Sequence, residues 1–193
     1  MASIETTQSE ISLSGQLLVA MPQVNDPRFA RSVVYMCAHS DDGAMGFVVN
    51  RLMDSIRFET LMDQLGLSAR GDRHDIPIHF GGPVEASRGF VLHSTDLIQD
   101  ATLLIDEDIA LTATTEMLRA IAEDKGPERC VLTLGYASWG PGQLDQEIQD
   151  NGWLLVPPDD QLVFGSDNAA KWEEALAKIG IDLTLLSTEA GHA

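Results

Sequence analysis

The sequence predicts a mixed α+β fold in a single domain, and three observations support this. Short apolar runs bounded by Gly, Pro, Asn or Asp, which are typical of strands, recur along most of the chain. Four other segments place apolar residues at helical spacing. The predicted strands come both in adjacent pairs and separated by helices, without a regular alternation of strand and helix. This order favours a mixed sheet over a doubly wound parallel sheet.

The predicted strands follow one another from the first apolar run to the last. The first covers residues 15–21 and stops before Pro22. The second and third flank Asp41-Asp42-Gly43, a sequence typical of a hairpin connection. The strands after the first are predicted at 32–38, 46–50, 76–80, 89–93, 102–105, 130–135, 152–156 and 161–164.

Each predicted helix has a recognisable start or stop signal. Gly66 ends the first helix, and Thr112 is the predicted N-cap of the second. Pro141 begins the third helix, and Asp167 caps the fourth. The apolar faces, in the same order, are Phe58/Leu61/Met62/Leu65, Met117/Leu118/Ile121, Leu144/Ile148 and Trp172/Leu176/Ile179.

The length and composition indicate one globular domain. The chain has 193 residues, of which 44% are hydrophobic and 22% charged, values that are ordinary for a folded protein. Residues 1–13 are polar and are predicted to form a flexible N-terminal tail, so the domain is expected to cover residues 14–193. Neither a low-complexity linker nor an internal repeat interrupts that range.

The charge balance is strongly acidic. Twelve Lys and Arg stand against thirty Asp and Glu, which gives a formal net charge of −18 at pH 7. Such a field repels phosphate backbones and anionic lipid surfaces, so we expect neither direct nucleic-acid binding nor membrane binding. The simplest interpretation of the charge is solubility. Its functional interpretation is a basic protein partner or a surface for divalent cations.

The cysteine count and the apolar runs indicate a cytoplasmic protein. Only Cys37 and Cys130 are present, too few for a disulfide scaffold. The first ten residues lack the apolar core of a signal peptide. The longest apolar runs, such as residues 33–38, are far shorter than the about 20 residues that span a bilayer.

The turn after the predicted strand at 130–135 has two candidate roles, one catalytic and one in binding. Ser138 stands where a hydrolase nucleophile would sit, but Tyr136 occupies the position at which that motif requires glycine. Gln143 and Glu147 lie four residues apart on one helix face. They form either a solvated polar face or the lining of a polar cleft. No catalytic residue and no cofactor are predicted.

Other candidates lie at the predicted strand ends. Gly81-Gly82-Pro83 forms either a tight turn or a loop that faces a ligand. Three histidines sit near strand ends, at spacings that do not match a zinc site, so no metal is predicted. They are His39, His79 and His93.

Cys37 is the candidate for redox chemistry. It lies on a predicted strand with His39 on the same face and Arg31 nearby in the sequence. A thiol becomes reactive as a thiolate, which requires exposure and a neighbouring positive charge. A redox-sensing cysteine and a small buried hydrophobic residue are the two interpretations.

Four ordered blocks of the chain form a recognisable pattern: Gly15-Gln16-Leu17-Leu18-Val19-Ala20-Met21-Pro22 with Asp26-Pro27-Arg28-Phe29; Gly43-Ala44-Met45-Gly46-Phe47-Val48-Val49-Asn50-Arg51; Gly81-Gly82-Pro83-Val84 with Val91-Leu92-His93; and Gly135-Tyr136-Ala137-Ser138-Trp139-Gly140-Pro141-Gly142-Gln143-Leu144 with Glu147 and Trp153. Together they resemble the YqgE/AlgH family, and the resemblance runs from about Gly15 to the C-terminus. The chain departs from the family at Ser138, where glycine is usual, and at Asp145, where glutamate is usual.

The resemblance implies a fold and a compartment, and it implies no established activity. Members are bacterial cytosolic proteins with a branched sheet curled into a pseudo-barrel and helices packed outside it. Some carry the label of transcriptional regulator. The resemblance supplies no catalytic residues.

These observations lead to three functional hypotheses. The first is a non-enzymatic regulatory or partner-binding protein that acts through a protein partner rather than by binding DNA. The second is a small-molecule-binding protein or enzyme, and the third is a thiol switch at Cys37. The candidate ligand or partner site gathers residues from strand ends and glycine-rich turns: Asn50, Arg51, Gly81, Gly82, Pro83, His93, Tyr136, Trp139, Gln143 and Glu147.

Overall fold

The computed structural model describes residues 12–69 and 76–186. Nine strands and six helices lie in these two ranges. The strands are β1 (Leu17–Ala20), β2 (Val33–Ser40), β3 (Gly43–Val48), β4 (Ile78–Phe80), β5 (Val84–Ser94), β6 (Leu103–Leu104), β7 (Ile109–Thr112), β8 (Cys130–Trp139) and β9 (Trp153–Val156). The helices are α1 (Phe58–Gln64), α2 (Thr115–Ala122), α3 (Gln143–Gln149), α4 (Asp160–Phe164), α5 (Lys171–Lys178) and α6 (Leu183–Leu186).

The strands form a curled half-barrel sheet that branches at β8. Eight of them follow the order β6-β7-β5-β8-β3-β2-β1-β9, and β4 joins β8 outside that order. The first half of β8 pairs with β5 in the antiparallel direction and with β4 in the parallel direction. Its last residues pair with β3 instead. The predicted α+β fold with a mixed, branched sheet is therefore confirmed.

Close backbone approach at the branch requires glycine. A Cβ atom on Gly81 would overlap the carbonyl oxygen of Gly135, and one on Gly82 would overlap the main chain of Tyr136. Gly135 itself has a φ of +73°, a conformation that L side chains rarely adopt. The loop between β4 and β5 can therefore lie directly against β8 only because these positions carry no side chain.

Three clusters of buried side chains hold the helices against the sheet. The first packs α4 and α5 against β1, β2, β3 and β5. The second encloses β1, β2, β3, β8 and β9 together with Leu144 of α3. The third packs α1 and α2 against β4, β5 and β8. Each cluster includes residues of β8 or its neighbours, so the branched sheet forms the centre of the whole core.

Two predicted elements were wrong. Residues 161–164, predicted as a strand, belong to helix α4, because the Asp159 side chain accepts a hydrogen bond from the N–H of Leu162 and starts a helix there. Thr112, predicted as a helix cap, is the last residue of β7, a strand that the prediction missed. The cap of α2 is Thr114, whose side chain accepts from the N–H of Met117.

The ends of the chain are described only in part. Residues 1–11 of the predicted tail lie outside the described residues, as do 70–75 and 187–193. Leu13, the last residue of that predicted tail, is buried against the second cluster. In the ranges that the structure describes, no helix combines the length and the apolar character needed to cross a bilayer.

A lysine lies inside the core between α5, α4 and the end of β3. Lys171 is 1% exposed, and its Nζ donates to the carbonyl oxygens of Val49 at 2.9 Å and Val163 at 3.2 Å. Burial lowers the pKa of Lys171 to about 8, and Glu174 partly opposes this shift. The folded protein therefore releases this proton at a lower pH than the unfolded chain, whose lysine pKa is 10.5.

This difference makes stability depend on pH in a defined direction. Between pH 8 and 10.5 the unfolded chain binds more protons at Lys171, so the free energy of unfolding rises with pH there. Between pH 8 and 9 we expect the free energy of unfolding of the wild-type protein to rise by about 1 kcal/mol relative to that of a Lys171→Met variant. Urea unfolding of both proteins at the two pH values measures the difference. The surface variant Lys125→Met retains Lys171, so its free energy of unfolding should rise as much as that of the wild type. An equal rise in Lys171→Met would contradict the assignment to Lys171.

Candidate functional site

A groove of about 460 Å³ lies where β8 ends and α3 begins. Its walls come from four parts of the chain: the loop before β2, the start of β5, the β8–α3 turn and the start of β9. We call it the indole groove, after the two tryptophans that line it. The lining side chains that matter below are Asp26, Arg28, Phe29, Pro83, Trp139, Gln143, Glu147, Asp150 and Trp153.

The carboxylate of Glu147 is the centre of a hydrogen-bond network in the indole groove. Its Oε2 accepts from the indole N–H of Trp139 at 2.9 Å and from that of Trp153 at 2.8 Å. Its Oε1 accepts from the side-chain amide of Gln143 at 2.9 Å. One half-buried side chain of α3 therefore fixes the two tryptophans, which belong to β8 and β9.

Three aromatic rings pack around this network. The ring centroids of Trp139 and Trp153 are 5.9 Å apart, with planes at 82°. The ring of Phe29 lies 5.8 Å from Trp153 at 76° and 6.4 Å from Trp139. The first two pairs are near-perpendicular, which is a favourable arrangement for aromatic rings, and the third is tilted at 32°. The rings are therefore held in a fixed arrangement, and Phe29 is the most exposed of the three.

The sequence of the turn explains why Gln143 and Glu147 face the groove. Gly142 has a φ of +67°, which lets the chain reverse immediately after β8. Helix α3 then begins at Gln143, two residues later than the predicted start at Pro141. The Oε1 of Gln143 accepts from the N–H of Gly140 at 3.0 Å, which fixes the turn. Positions four apart share one helix face, so Glu147 lies beside Gln143.

Arg51 anchors the loop that carries Phe29 through hydrogen bonds to its main chain. Its guanidinium donates to the carbonyl oxygens of Pro27, Arg28 and Ala30, at 2.7, 2.7 and 3.1 Å. It also lies 5.9 Å from the ring centroid of Phe80. Charged donors bonded to carbonyl oxygens are stronger than neutral ones. Arg51 therefore positions one wall of the indole groove without lining it.

The indole groove carries more negative than positive charge. Three carboxylates, those of Asp26, Glu147 and Asp150, line it together with a single guanidinium, that of Arg28. Arg28 donates to both oxygens of Asp26, and this contact lowers the pKa of Asp26 to about 2. The pair is thus internally neutralised, which leaves the charges of Glu147 and Asp150 facing the groove.

The structure brings four of the ten predicted site residues together. Pro83, Trp139, Gln143 and Glu147 all line the indole groove. The remaining six were predicted for the same site but do not line it: Asn50, Arg51, Gly81, Gly82, His93 and Tyr136.

These six residues have structural roles in the fold. Asn50 accepts from the N–H of Val33 and donates to the carbonyl of Arg31, so it holds the same loop as Arg51. Gly81 and Gly82 pack directly against β8. Tyr136 packs edge-on against Phe90 in the first core cluster.

The histidines are dispersed rather than gathered on a common rim. His93 is fully buried, and its ring nitrogens lie 2.9 Å from the carbonyl of Ser94 and 2.8 Å from the hydroxyl of Thr112. His79 is buried beside Asn168, and His39 lies 3.4 Å from Asp145. In the described part of the chain, no group of three or more His, Cys, Asp or Glu side chains is arranged to hold a metal ion.

Cys37 lies inside the first core cluster. Its side chain is 7% exposed, and burial raises the pKa of the thiol well above its ordinary value, with a further contribution from Asp106. The protonated thiol is therefore the stable form at neutral pH. Since the thiolate is the reactive species, this position has the environment of a core residue.

Of the nine groove side chains named above, five were absent from the predicted site: Asp26, Arg28, Phe29, Asp150 and Trp153. All but Asp150 stand inside the sequence blocks that carry the family resemblance. Their presence in those blocks was the available signal. Sequence spacing did not reveal their proximity, because Phe29 and Trp153 meet only through the pairing of β1 with β2 and β9.

Comparison with known proteins finds relatives that match most of this chain. The sequence profile of the AlgH-like family matches residues 17–184. A UPF0301 protein of Afipia carboxidovorans is 58% identical over 189 residues, covering 94% of this chain and 90% of that protein. The relatives in this comparison therefore match nearly the whole chain.

Two solved structures share the fold. The solution structure of the AlgH protein from Pseudomonas aeruginosa has a TM-score of 0.77 and 39% identity, covering 96% of this chain and 98% of that one. The crystal structure of protein DIP2367 from Corynebacterium diphtheriae has a TM-score of 0.68 at 22% identity, with 89% of each chain covered. The second likeness concerns the fold alone.

The anchoring role of Arg51 predicts a specific effect of an Arg51→Lys substitution. An ammonium group cannot span the three carbonyl oxygens that the planar guanidinium reaches, so we expect a loss of about 2 kcal/mol in the free energy of unfolding. The matched control is Arg88→Lys, since Arg88 also lies over a phenylalanine, 5.0 Å from the centroid of Phe90, but on an exposed surface. Chemical denaturation compares the two variants, and equal losses would contradict the anchoring role.

Proposed function

Since this chain belongs to the AlgH-like family, we propose that it is a non-enzymatic regulatory protein whose indole groove binds a cationic side chain of a basic protein partner. Membership of the family does not by itself specify an activity, so the proposal depends on the chemistry of the groove. The observation that carries it is the combination of three aromatic rings with the carboxylates of Glu147 and Asp150 in one concave site.

The aromatic walls favour a cation. Arginine and lysine are attracted to the faces of aromatic rings, by about 0.5–1 kcal/mol at exposed sites. The ring of Phe29 already lies 5.7 Å from the guanidinium of Arg28, so this surface accepts a planar cation in the folded protein. An arginine side chain of a partner would bring both a flat cation for the rings and donors for Glu147 or Asp150.

The charges of the molecule select the same class of ligand. Glu147 and Asp150 repel anions at the groove, and the net charge of −18 repels them at longer range. The same field accelerates the approach of a basic protein. A regulatory effect exerted through a protein partner therefore agrees better with this charge than direct contact with DNA phosphates does.

The rigidity of the groove supports a binding role. Glu147 holds both indoles, and Arg51 holds the loop that bears Phe29. A site that is already ordered loses little conformational entropy when a ligand binds, which favours affinity. We include a cytoplasmic location in the proposal, because a protein with two cysteines, one of them a buried thiol, is suited to a reducing compartment.

A small cationic molecule is the second candidate ligand. The groove volume of about 460 Å³ falls in the range of about 300–1,000 Å³ that is usual for small-molecule sites. The aromatic and acidic lining would suit an amine or a guanidinium compound for the reasons given above. The two candidates differ in whether the cation must be part of a polypeptide.

A titration followed by NMR tests the proposal. The indole N–H signals of Trp139 and Trp153 report on the groove, while Trp172, which donates to the carbonyl of Ala20 in the core, is the internal reference. We expect a hexa-arginine peptide to shift the first two signals and not the third, with affinity falling as salt is added. A hexa-glutamate peptide should leave all three unchanged.

Two variants with matched controls give the test its specificity. Phe29→Leu should weaken hexa-arginine binding about fivefold, the equivalent of about 1 kcal/mol for one cation–π contact, whereas Phe164→Leu outside the groove should not. Asp150→Asn should weaken it more than Asp63→Asn, which removes the same charge from α1. If arginine methyl ester binds as tightly as hexa-arginine, the small-molecule candidate is favoured. If neither ligand shifts the indole signals of Trp139 and Trp153, both candidates are contradicted.

A further inference from the structure

A second surface, at the opposite end of the sheet order from β9, has the properties of a docking edge. Within residues 12–69 and 76–186, strand β6 ends the order and pairs only with β7, with Leu103 opposite Leu111 and Leu104 opposite Ala110. The N–H of Ile105 bonds inward to the carbonyl of Ile109. Because inward and outward groups alternate along an antiparallel strand, the N–H of Leu104 faces outward. An edge of this kind is a template for another strand.

Apolar exposure is concentrated beside this edge. Ile98, Leu103 and Leu104 are 51%, 57% and 58% exposed, and they account for three of the seven large hydrophobic residues exposed in the described ranges. We call these three residues the edge patch. Leu103 and Leu104 are consecutive on β6, so their side chains point to opposite faces of the sheet and flank its edge. Exposed apolar side chains beside a strand edge are typical of an interaction site.

A groove lies next to the edge patch and would receive a side chain from an added strand. It has a volume of about 320 Å³, and Leu103 and its cross-strand partner Leu111 form one side. Phe90, Tyr136 and Met45 also line it, together with Arg88, whose guanidinium is paired with Glu85 at 3.4 Å. Every second residue of a strand paired with β6 would point to this face of the sheet.

The charges around the edge patch indicate the kind of partner. Residues 96–108 contain no Lys, Arg or His, and acidic residues lie on both sides of β6. A second copy of this chain would bring the same charges to the interface, which opposes self-association. The acidic residues of this segment are Asp96, Asp100, Asp106, Glu107 and Asp108.

We propose that the edge patch binds an extended segment of a partner protein, with an apolar centre and Lys or Arg at both ends, which adds to the sheet as a strand beside β6. The apolar centre covers Leu103 and enters the adjoining groove, and the backbone pairs with the outward N–H of Leu104. The terminal cations meet Asp100 on one side and the acidic run at 106–108 on the other. This site is separate from the indole groove and does not depend on its ligand.

A designed peptide tests this proposal directly. The probe is acetyl-Lys-Lys-Val-Thr-Val-Lys-Lys-amide, and its binding is measured by calorimetry and by backbone hydrogen exchange. We expect binding that slows exchange at the amide of Leu104. A peptide of the same sequence with N-methyl groups on the central residues should bind at least about tenfold more weakly, because it cannot pair with a strand edge.

A pair of leucine variants separates strand addition from general charge attraction. Leu103→Glu removes the apolar contact while adding a negative charge, so strand addition predicts weaker binding and charge attraction alone predicts tighter binding. Leu155→Glu is the control, since Leu155 is 40% exposed on β9, the other edge strand. We expect a loss of about tenfold or more for the first variant and no loss for the second.

Four results would overturn the proposal. They are equal affinity of the N-methylated peptide, unchanged or tighter binding to Leu103→Glu, loss of binding in Leu155→Glu, and a peptide-free dimer in which the Leu104 amide is already protected. The last result would assign the edge to a second copy of the chain.

Discussion

The candidate site depends on one carboxylate oxygen of Glu147, which accepts hydrogen bonds from the indole N–H groups of two tryptophans. Trp139 and Trp153 are 6% and 4% exposed, so neither indole N–H can obtain full hydration without movement of the ring. A buried donor left without a partner costs about 1–3 kcal/mol. Glu147 therefore links α3, β8 and β9 more firmly than their apolar contacts alone would.

The path of the backbone at the branch of the sheet brings these side chains together. Strand β8 pairs with β4 and β5 along its first half and turns to pair with β3 at its end, which delivers Trp139 to the edge of the second core cluster. Gly81 and Gly82 allow the chain to cross β8 in contact with its main chain. Arg51, just after β3, then brings the loop with Phe29 over the two indoles. Polar anchors and glycines thus build a groove whose own walls are aromatic and acidic.

Local features of the fold were predictable from sequence, because apolar spacing and turn residues act over a few positions. The apolar faces at Phe58, Met117 and Trp172 lie in helices, as their period indicates. Short segments were less predictable: Gln161–Phe164 has the composition of a strand, but a carboxylate cap from Asp159 makes it helical. A four-residue helix segment and a four-residue strand cannot be distinguished by period.

The candidate site was predictable where its residues are close in sequence. Trp139 ends the strand just before α3, and Gln143 and Glu147 lie four residues apart on one face of that helix, so closeness in sequence was enough to place them together. Phe29 and Trp153 were not predictable in this way, because only the order of strands brings them near that turn. Asn50 and His93 have the polar character of site residues, but they satisfy backbone or hydroxyl partners inside the fold.

Hydrogen exchange of the tryptophan indoles, measured by NMR in the wild-type protein and in Glu147→Leu, is the most direct measurement of the central interaction. A leucine side chain keeps much of the packing volume and offers no acceptor, so both indole N–H groups lose their partner. The indole N–H groups of Trp139 and Trp153 should therefore exchange at least about tenfold faster in the variant, which corresponds to about 1.4 kcal/mol. Trp172, bonded to Ala20, should be unaffected. Unchanged exchange at both groove indoles would contradict the role assigned to Glu147.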